Sequence, residues 1–194
     1  MKKNLVFIII SFFYFGNVQS IQPDVFVQST VNRASQVLNT QFSKKEKIEK
    51  LKSIAKETVD IRGIGDYTLG SYRKSISEDQ KKQYIVLFEQ YFLKSFASRL
   101  AEYSNPEIQV NSKKILNENY TMVSSLLVAT ETRPEVRIDW RIYTKNPNNP
   151  LIRDLIIEGL SLARTQKEEF SSIIQSNDGN INTLFESLKE FINN

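Results

Sequence analysis

Hydrophobic positions change period twice along this chain. From Asp24 to Asn39 the apolar residues Val27, Val31, Ala34 and Leu38 recur every three or four positions, the spacing of one helix face. Ser43-Lys44-Lys45-Glu46 is a capping box, in which the serine and glutamate side chains each satisfy a free N–H at a helix start. Ile48, Leu51, Ala55 and Val59 form the apolar stripe behind it. Asp60 to Tyr72 continues the helical pattern, weakened by Gly63, Gly65 and Gly70. A second capping box, Ser77-Glu78-Asp79-Gln80, opens the clearest helix, whose stripe is Tyr84, Leu87, Phe88, Tyr91, Phe92, Phe96, Leu100 and Tyr103. Asn105-Pro106 ends this run of helices.

Beyond Pro106 the period is two. Ile108–Leu116 and Tyr120–Thr130 are predicted strands joined at Asn117-Glu118-Asn119. Val136, Ile138, Trp140 and Ile142 alternate with Arg137, Asp139 and Arg141, as in a half-buried strand. Lys145–Pro150 is a turn, and Ile152–Leu162 the fourth strand. Helical spacing then returns with Phe170, Ile173 and Ile174. Asn177-Asp178-Gly179-Asn180 interrupts it, and Ile181, Leu184, Phe185, Leu188 and Phe191 mark a last helix. The order predicts one α+β domain: a four-stranded antiparallel meander with N-terminal and C-terminal helices packed on one face.

The first residues have a different character. Met1-Lys2-Lys3 precedes an apolar run from Leu5 to Phe15, Gly16-Asn17 breaks it, and Val18-Gln19-Ser20 supplies a small-residue exit. These are the three parts of a cleavable secretory signal over residues 1–20, leaving 21–194 as a soluble mature domain. The alternative, an uncleaved anchor, is disfavoured because the run falls short of the ~20 apolar residues that span a bilayer.

Composition narrows the chemistry. Cysteine and histidine are absent, which excludes disulfides, thiolate metal sites, a lipid-modified cysteine and a Ser-His-Asp relay. The net charge of +4 includes two lysines of the leader, so the mature domain is closer to neutral. Lys44, Lys45, Lys47, Lys50, Lys52 and Lys56 are interleaved with Glu46, Glu49 and Glu57, which favours a solvated, ion-paired helix face over a polyanion-binding stripe. Gly63-Ile64-Gly65 lacks the preceding strand and third glycine of a phosphate loop, and reads as close packing or a bend. Gly159-Leu160-Ser161-Leu162-Ala163 nearly spells a nucleophile elbow, but no histidine exists to serve it. Asp154 and Glu158, on one strand, would stand ~13 Å apart, beyond the ~5–9.5 Å of glycosidase carboxylates. They are expected instead to accept hydrogen bonds from loop backbone or to pair with an arginine. Asp66 and Asp139 are isolated acids. No catalytic group and no metal site are expected, so the chain reads as a binding protein.

Leu69-Gly70-Ser71-Tyr72, followed by Ser77-Glu78-Asp79-Gln80 and the aromatic helix, resembles the middle of the MlaC-like family, also called toluene-tolerance auxiliary proteins. Pro134-Glu135-Val136-Arg137-Ile138-Asp139 resembles its third-strand entry. Asp154-Leu155-Ile156-Ile157-Glu158-Gly159-Leu160-Ser161 resembles its signature, an Asp, three residues, then Glu-Gly-x-Ser. No single motif is highly specific, but the ordered set covers nearly the whole mature chain. Two positions depart from the pattern: Arg73 stands where an aromatic is usual, and Pro150 where a tryptophan often opens the fourth strand.

The resemblance implies an NTF2-like cone enclosing an apolar cavity, and a periplasmic carrier of glycerophospholipid with the lipid as cargo and no cofactor. It implies as partners an outer-membrane lipoprotein–porin complex and the lipid-binding subunit of an inner-membrane ABC transporter; no nucleic acid, and a monomer. Candidate lining residues are the large apolar side chains on the expected inward faces: Tyr67, Leu69, Tyr72, Phe88, Phe92, Leu126, Val128, Ile138 and Trp140. Each is equally readable as ordinary core. Arg73, Arg137 and Arg153 are the head-group candidates, since guanidinium binds phosphate bidentately, against the plainer reading as surface or ion-pair residues. Two rival readings stay open: a periplasmic chaperone or adaptor with an apolar groove, and an enzyme using Asp139, Asp154 or Glu158 as base.

Overall fold

The computed structural model describes residues 20–103 and 106–194. All of the predicted leader except Ser20, and Asn105 of the predicted helix stop, lie outside the described residues.

Among the described residues, six α-helices and a sheet follow the predicted order. The helices are α1 (Pro23–Asn39), α2 (Lys44–Thr58), α3 (Ile61–Thr68), α4 (Glu78–Leu100), α5 (Leu162–Gln175) and α6 (Ile181–Asn193). The strands are β1 (Ile108–Asn117), β2 (Tyr120–Leu127), β3 (Val136–Tyr143), β4 (Leu151–Ile157) and β5 (Leu160–Ser161), antiparallel and hydrogen-bonded in chain order. Both capping boxes form. Ser43 Oγ accepts from Glu46 N–H and Ser77 Oγ from Gln80 N–H, while Glu46 and Gln80 accept in return from the serine N–H groups at 2.9 Å each. The lysine-rich face of α2 is partly ion-paired, as with Lys52–Glu49 and Lys56–Glu89.

The predicted fourth strand, Ile152–Leu162, is too long. The chain turns at Glu158 and Gly159, whose φ values of 48° and 83° are the left-handed pair that a two-residue hairpin requires. Ser161 then caps α5, accepting from Arg164 N–H at 3.1 Å. The sheet therefore has a short fifth strand, and α5 starts at the residue that follows it. The open edge of β4 is covered twice: by β5 at one end, and by Val59 and Asp60 at the other, where Asp60 N–H donates to the Ile152 carbonyl. That covering leaves few unpaired groups on this edge.

A β-bulge at Arg153 changes the register within β4. Ile142 pairs with Ile152 but Arg141 pairs with Asp154, leaving Arg153 as the extra residue. Leu155 consequently stands beside Trp140, and Ile157 beside Ile138. Bulges bend a strand and re-aim the side chains that follow.

The main core lies between the helices and one sheet face, with α4 at its centre. Tyr84 and Phe88 of α4 meet Phe170 of α5 edge-on, and Phe185 of α6 stacks on Tyr84. Gly65 explains how α3 comes so close: a Cβ there would stand 2.8 Å from the Phe88 ring. Gly63 similarly leaves room for the Arg153 guanidinium, which pairs with Asp60, the N-cap of α3. The pair of glycines thus serves close packing. A smaller cluster of Leu38, Leu51 and Ala97 joins α1, α2 and α4.

Tyr84 is fully buried, its hydroxyl 2.7 Å from that of Thr68, which in turn donates to the Gly65 carbonyl. Burial pushes the Tyr84 pKa well above the ordinary phenol value. An unfolded tyrosine ionises near pH ~10 whereas this one stays protonated, so rising pH favours the unfolded chain by up to ~1.4 kcal/mol per pH unit above that point. Denaturant unfolding across this range is expected to lose that increment, and Tyr84→Phe to remove its share of the loss.

Candidate functional site

The sheet and helices do not close completely. A cavity of about 450 Å³ remains among α3, α4, α5, α6 and strands β3 and β4. Its wall is aromatic and aliphatic. From α4 come Phe88, Tyr91, Phe92 and Phe96; from the sheet, Trp140, Ile152 and Leu155; from the closing helices, Leu162, Phe170, Ile173, Leu188 and Phe191. The α4 residues follow the i, i+3, i+4 spacing that puts them on one face. Phe92 and Phe96 are stacked with ring centres 5.5 Å apart, and Tyr91 packs on Phe191 at 4.9 Å. Lys94 holds the end of α6 in place by donating to the carbonyls of Phe191 and Ile192, both at 3.0 Å.

Several polar groups of the wall are hydrogen-bonded. The Trp140 indole N–H donates to Ser125 Oγ at 2.8 Å, so its ring can face apolar space without an orphaned donor. Asp154 is buried and accepts from Ser161 Oγ at 2.6 Å and from Ala163 N–H at 3.0 Å, with Arg141 Nη1 at 3.9 Å. Glu158 accepts from the backbone N–H of Arg137. The Asp-x-x-x-Glu-Gly-x-Ser segment is therefore a structural device. It makes the hairpin, ties it to β3 and fastens the start of α5, in keeping with the expectation that these carboxylates accept hydrogen bonds. Glu158 sits in the turn rather than on the strand with Asp154. At the mouth, where lining residues are exposed, Tyr91 donates to Gln166 at 2.9 Å, Gln166 donates to the exposed Glu169 at 2.8 Å, and the exposed Arg99 is the one basic residue of the lining among the described residues.

Of the nine lining candidates, the structure brings together Phe88, Phe92 and Trp140 in this wall. Leu69 and Ile138 are buried in the core beside it. Tyr72 packs on that core from the outside, and Tyr67 is 44% exposed in a surface groove with Lys167 over its ring. Leu126 is half-buried on the opposite alternation of β2, whose inward residues are Thr121, Val123, Ser125 and Leu127, and Val128 is half-buried just past the end of that strand. None of the three head-group candidates lines the cavity. Arg73 is exposed on the 3-10 turn Gly70–Lys74. Arg137 pairs with Asp139 at 3.1 Å. Arg153 is held by Asp60, by Tyr120 Oη at 3.2 Å and over the Tyr143 ring. Pro150 is buried just before β4, and neither it nor Arg73 touches the cavity. Tyr91 and Phe96 belong to the predicted stripe but not to the lining candidates, and Arg99 to neither, although helical spacing from Phe88 and Phe92 puts all three on the same face.

Known proteins share this fold. A solved structure from Ralstonia solanacearum, described as a phospholipid-binding protein in complex with a phospholipid, superposes with a TM-score of 0.75. It covers 89% of this chain and 97% of that one at 18% identity, which establishes a common fold. The intermembrane phospholipid transport system binding protein MlaC of Haemophilus influenzae is 36% identical over 61 residues, which make up 31% of this chain and only 28% of that protein. The family model of the MlaC protein matches residues 28–190, from the first helix to the last. With fold, signature segment and family match in agreement, this chain belongs to the MlaC family.

Proposed function

We propose that this chain is a periplasmic carrier of glycerophospholipid, holding acyl chain in the cavity and the head group at its mouth. On this reading it shuttles lipid between an outer-membrane lipoprotein–porin complex and the lipid-binding subunit of an inner-membrane ABC transporter. The observation that carries the reading is a semi-enclosed cavity with a largely apolar lining, to which the exposed Arg99 and Glu169 also contribute. Its volume lies within the ~300–1,000 Å³ usual for small-molecule sites. A methylene is about as large as a water molecule, whose share of liquid volume is ~30 Å³. By that measure 450 Å³ takes roughly one acyl chain. A second chain needs α4, α5 and α6 to spread, or lies along the mouth. Each methylene buried contributes ~0.8 kcal/mol, so one chain is enough for firm holding without covalent chemistry.

The Haemophilus and Ralstonia proteins, named for phospholipid transport and phospholipid binding, support the same cargo. Among the described residues no helix is long and apolar enough to cross a membrane. The carboxylates an enzyme would need are engaged elsewhere: Asp154 by Ser161 and Ala163, Glu158 by Arg137, and Asp139 by Ser124 and Arg137. That favours carriage over catalysis.

Mass spectrometry of the chain purified without detergent is the test, paired with phospholipid transfer between donor and acceptor vesicles. Bound phospholipid and transfer above the spontaneous rate are expected. An empty protein that moves no lipid would overturn the reading, and suppression of client aggregation by such a protein would favour a chaperone instead.

A further inference from the structure

Among the described residues, the cavity lining carries one exposed, unpaired charge of each sign, on two different helices. Arg99 of α4 and Glu169 of α5 both line it, and neither is in an ion pair with another side chain among the described residues. Glu169 accepts from Gln166, which itself accepts from the Tyr91 hydroxyl, so its carboxylate is held in place while still facing solvent. Both charges act on that hydroxyl in opposite senses: Glu169 pushes the Tyr91 pKa up and Arg99 pulls it down, beneath the larger upward push of burial. The other cation nearby, Lys94, is committed to the carbonyls of Phe191 and Ile192.

A mouth with separated plus and minus charges complements a head group that carries its own minus and plus. The geometry points to recognition of zwitterionic phospholipid head groups, with Arg99 meeting the phosphate and Glu169 the terminal ammonium. This inference rests on the carrier reading and adds a selectivity to it. An anionic head group such as phosphoglycerol would satisfy Arg99 but present only hydroxyls to Glu169. It would also bring an uncompensated negative charge near a carboxylate, and like-charge juxtaposition is an effective way to reject a wrong ligand. Neither residue is among the head-group candidates that the sequence suggests, because the pairing of α4 with α5 across the mouth is a tertiary contact.

The test is competitive loading. Lipid-free protein is incubated with vesicles of equimolar phosphatidylethanolamine and phosphatidylglycerol of matched acyl chains, and the bound species are counted by mass spectrometry. The wild type is expected to take the ethanolamine lipid in roughly fivefold excess, the scale of one partly exposed ion pair. Glu169→Gln is expected to bring the ratio near one, and Glu169→Lys to invert it, a sign change that a purely structural role for Glu169 would not produce. Arg99→Gln is expected to weaken both lipids and leave the ratio in place. Equal loading by the wild type, or a preference that survives Glu169→Lys, would overturn this selectivity while leaving the carrier reading standing. Uptake of neither lipid would overturn both.

Discussion

Ser95→Trp is expected to empty the cavity and abolish phospholipid retention while the protein stays folded. Ser95 is half-buried on α4, in the cavity wall between Phe92 and Phe96 in sequence and one turn before Arg99. An indole placed there enters open space rather than packed core, so it escapes the ~1–3 kcal/mol strain of overpacking. It does displace cargo. If four methylenes are excluded at ~0.8 kcal/mol each, affinity falls by ~3 kcal/mol, or more than a hundredfold. Retention measured by mass spectrometry and transfer between vesicles should both fall by that order, with the thermal midpoint held or raised. Ser95→Ala, which leaves the space open, should behave as the wild type. Full retention by Ser95→Trp would mean that the acyl chain lies somewhere other than this cavity.

Asp154→Ala is expected to be the most destabilising single substitution around the site. Its carboxylate is 4% exposed and accepts from Ser161 Oγ and from the buried Ala163 N–H, fixing the hairpin to the first turn of α5. Removing it strands a buried N–H and leaves Arg141 without its partner at 3.9 Å. Arg141 is 42% exposed and can turn to water, so the cost is set mainly by the backbone donor and the lost charge-assisted bonds. A loss of ~2–4 kcal/mol is expected in denaturant unfolding. Asp154→Asn keeps an acceptor for Ala163 and should cost about half as much. Because α5 supplies a wall of the cavity, lipid retention should fall together with stability, unlike in Ser95→Trp. An unchanged unfolding midpoint for Asp154→Ala would show that α5 is anchored by its other contacts alone.

The two substitutions separate what was legible in the chain from what was not. Both capping boxes, most of the α4 stripe and the alternation of β3 are local signals that appear where the pattern placed them, although α4 ends at Leu100 and leaves Tyr103, the last residue of the stripe, beyond it and exposed. Local signals work here because a helix start depends on groups three residues apart, and a strand face on groups two apart. The strand β2 was ambiguous, since it carries apolar residues on both alternations. Leu126 and Val128 suggested one inward face, but Ser125 is the residue that turns inward, where its hydroxyl takes the Trp140 indole N–H. That preference arises from a partner fifteen positions away. The arginine candidates lie outside the cavity lining for a similar reason. Arg153 points at Asp60 only because Gly63 makes room for it and the α2–α3 junction pairs with β4.

The sequence by itself determined the order of elements, the helix starts and the aromatic supply for a cavity wall, because short-range periodicity and capping are written in neighbouring residues. Its ordered motifs also carried the family. Only the tertiary structure decided which aromatics became wall and which became core. The bulge at Arg153, the two-residue hairpin at Glu158-Gly159 and the docking of α5 and α6 against α4 depend on pairings between distant segments. Those pairings set Leu155 beside Trp140, left the cavity open, and brought Arg99 and Glu169 to its mouth.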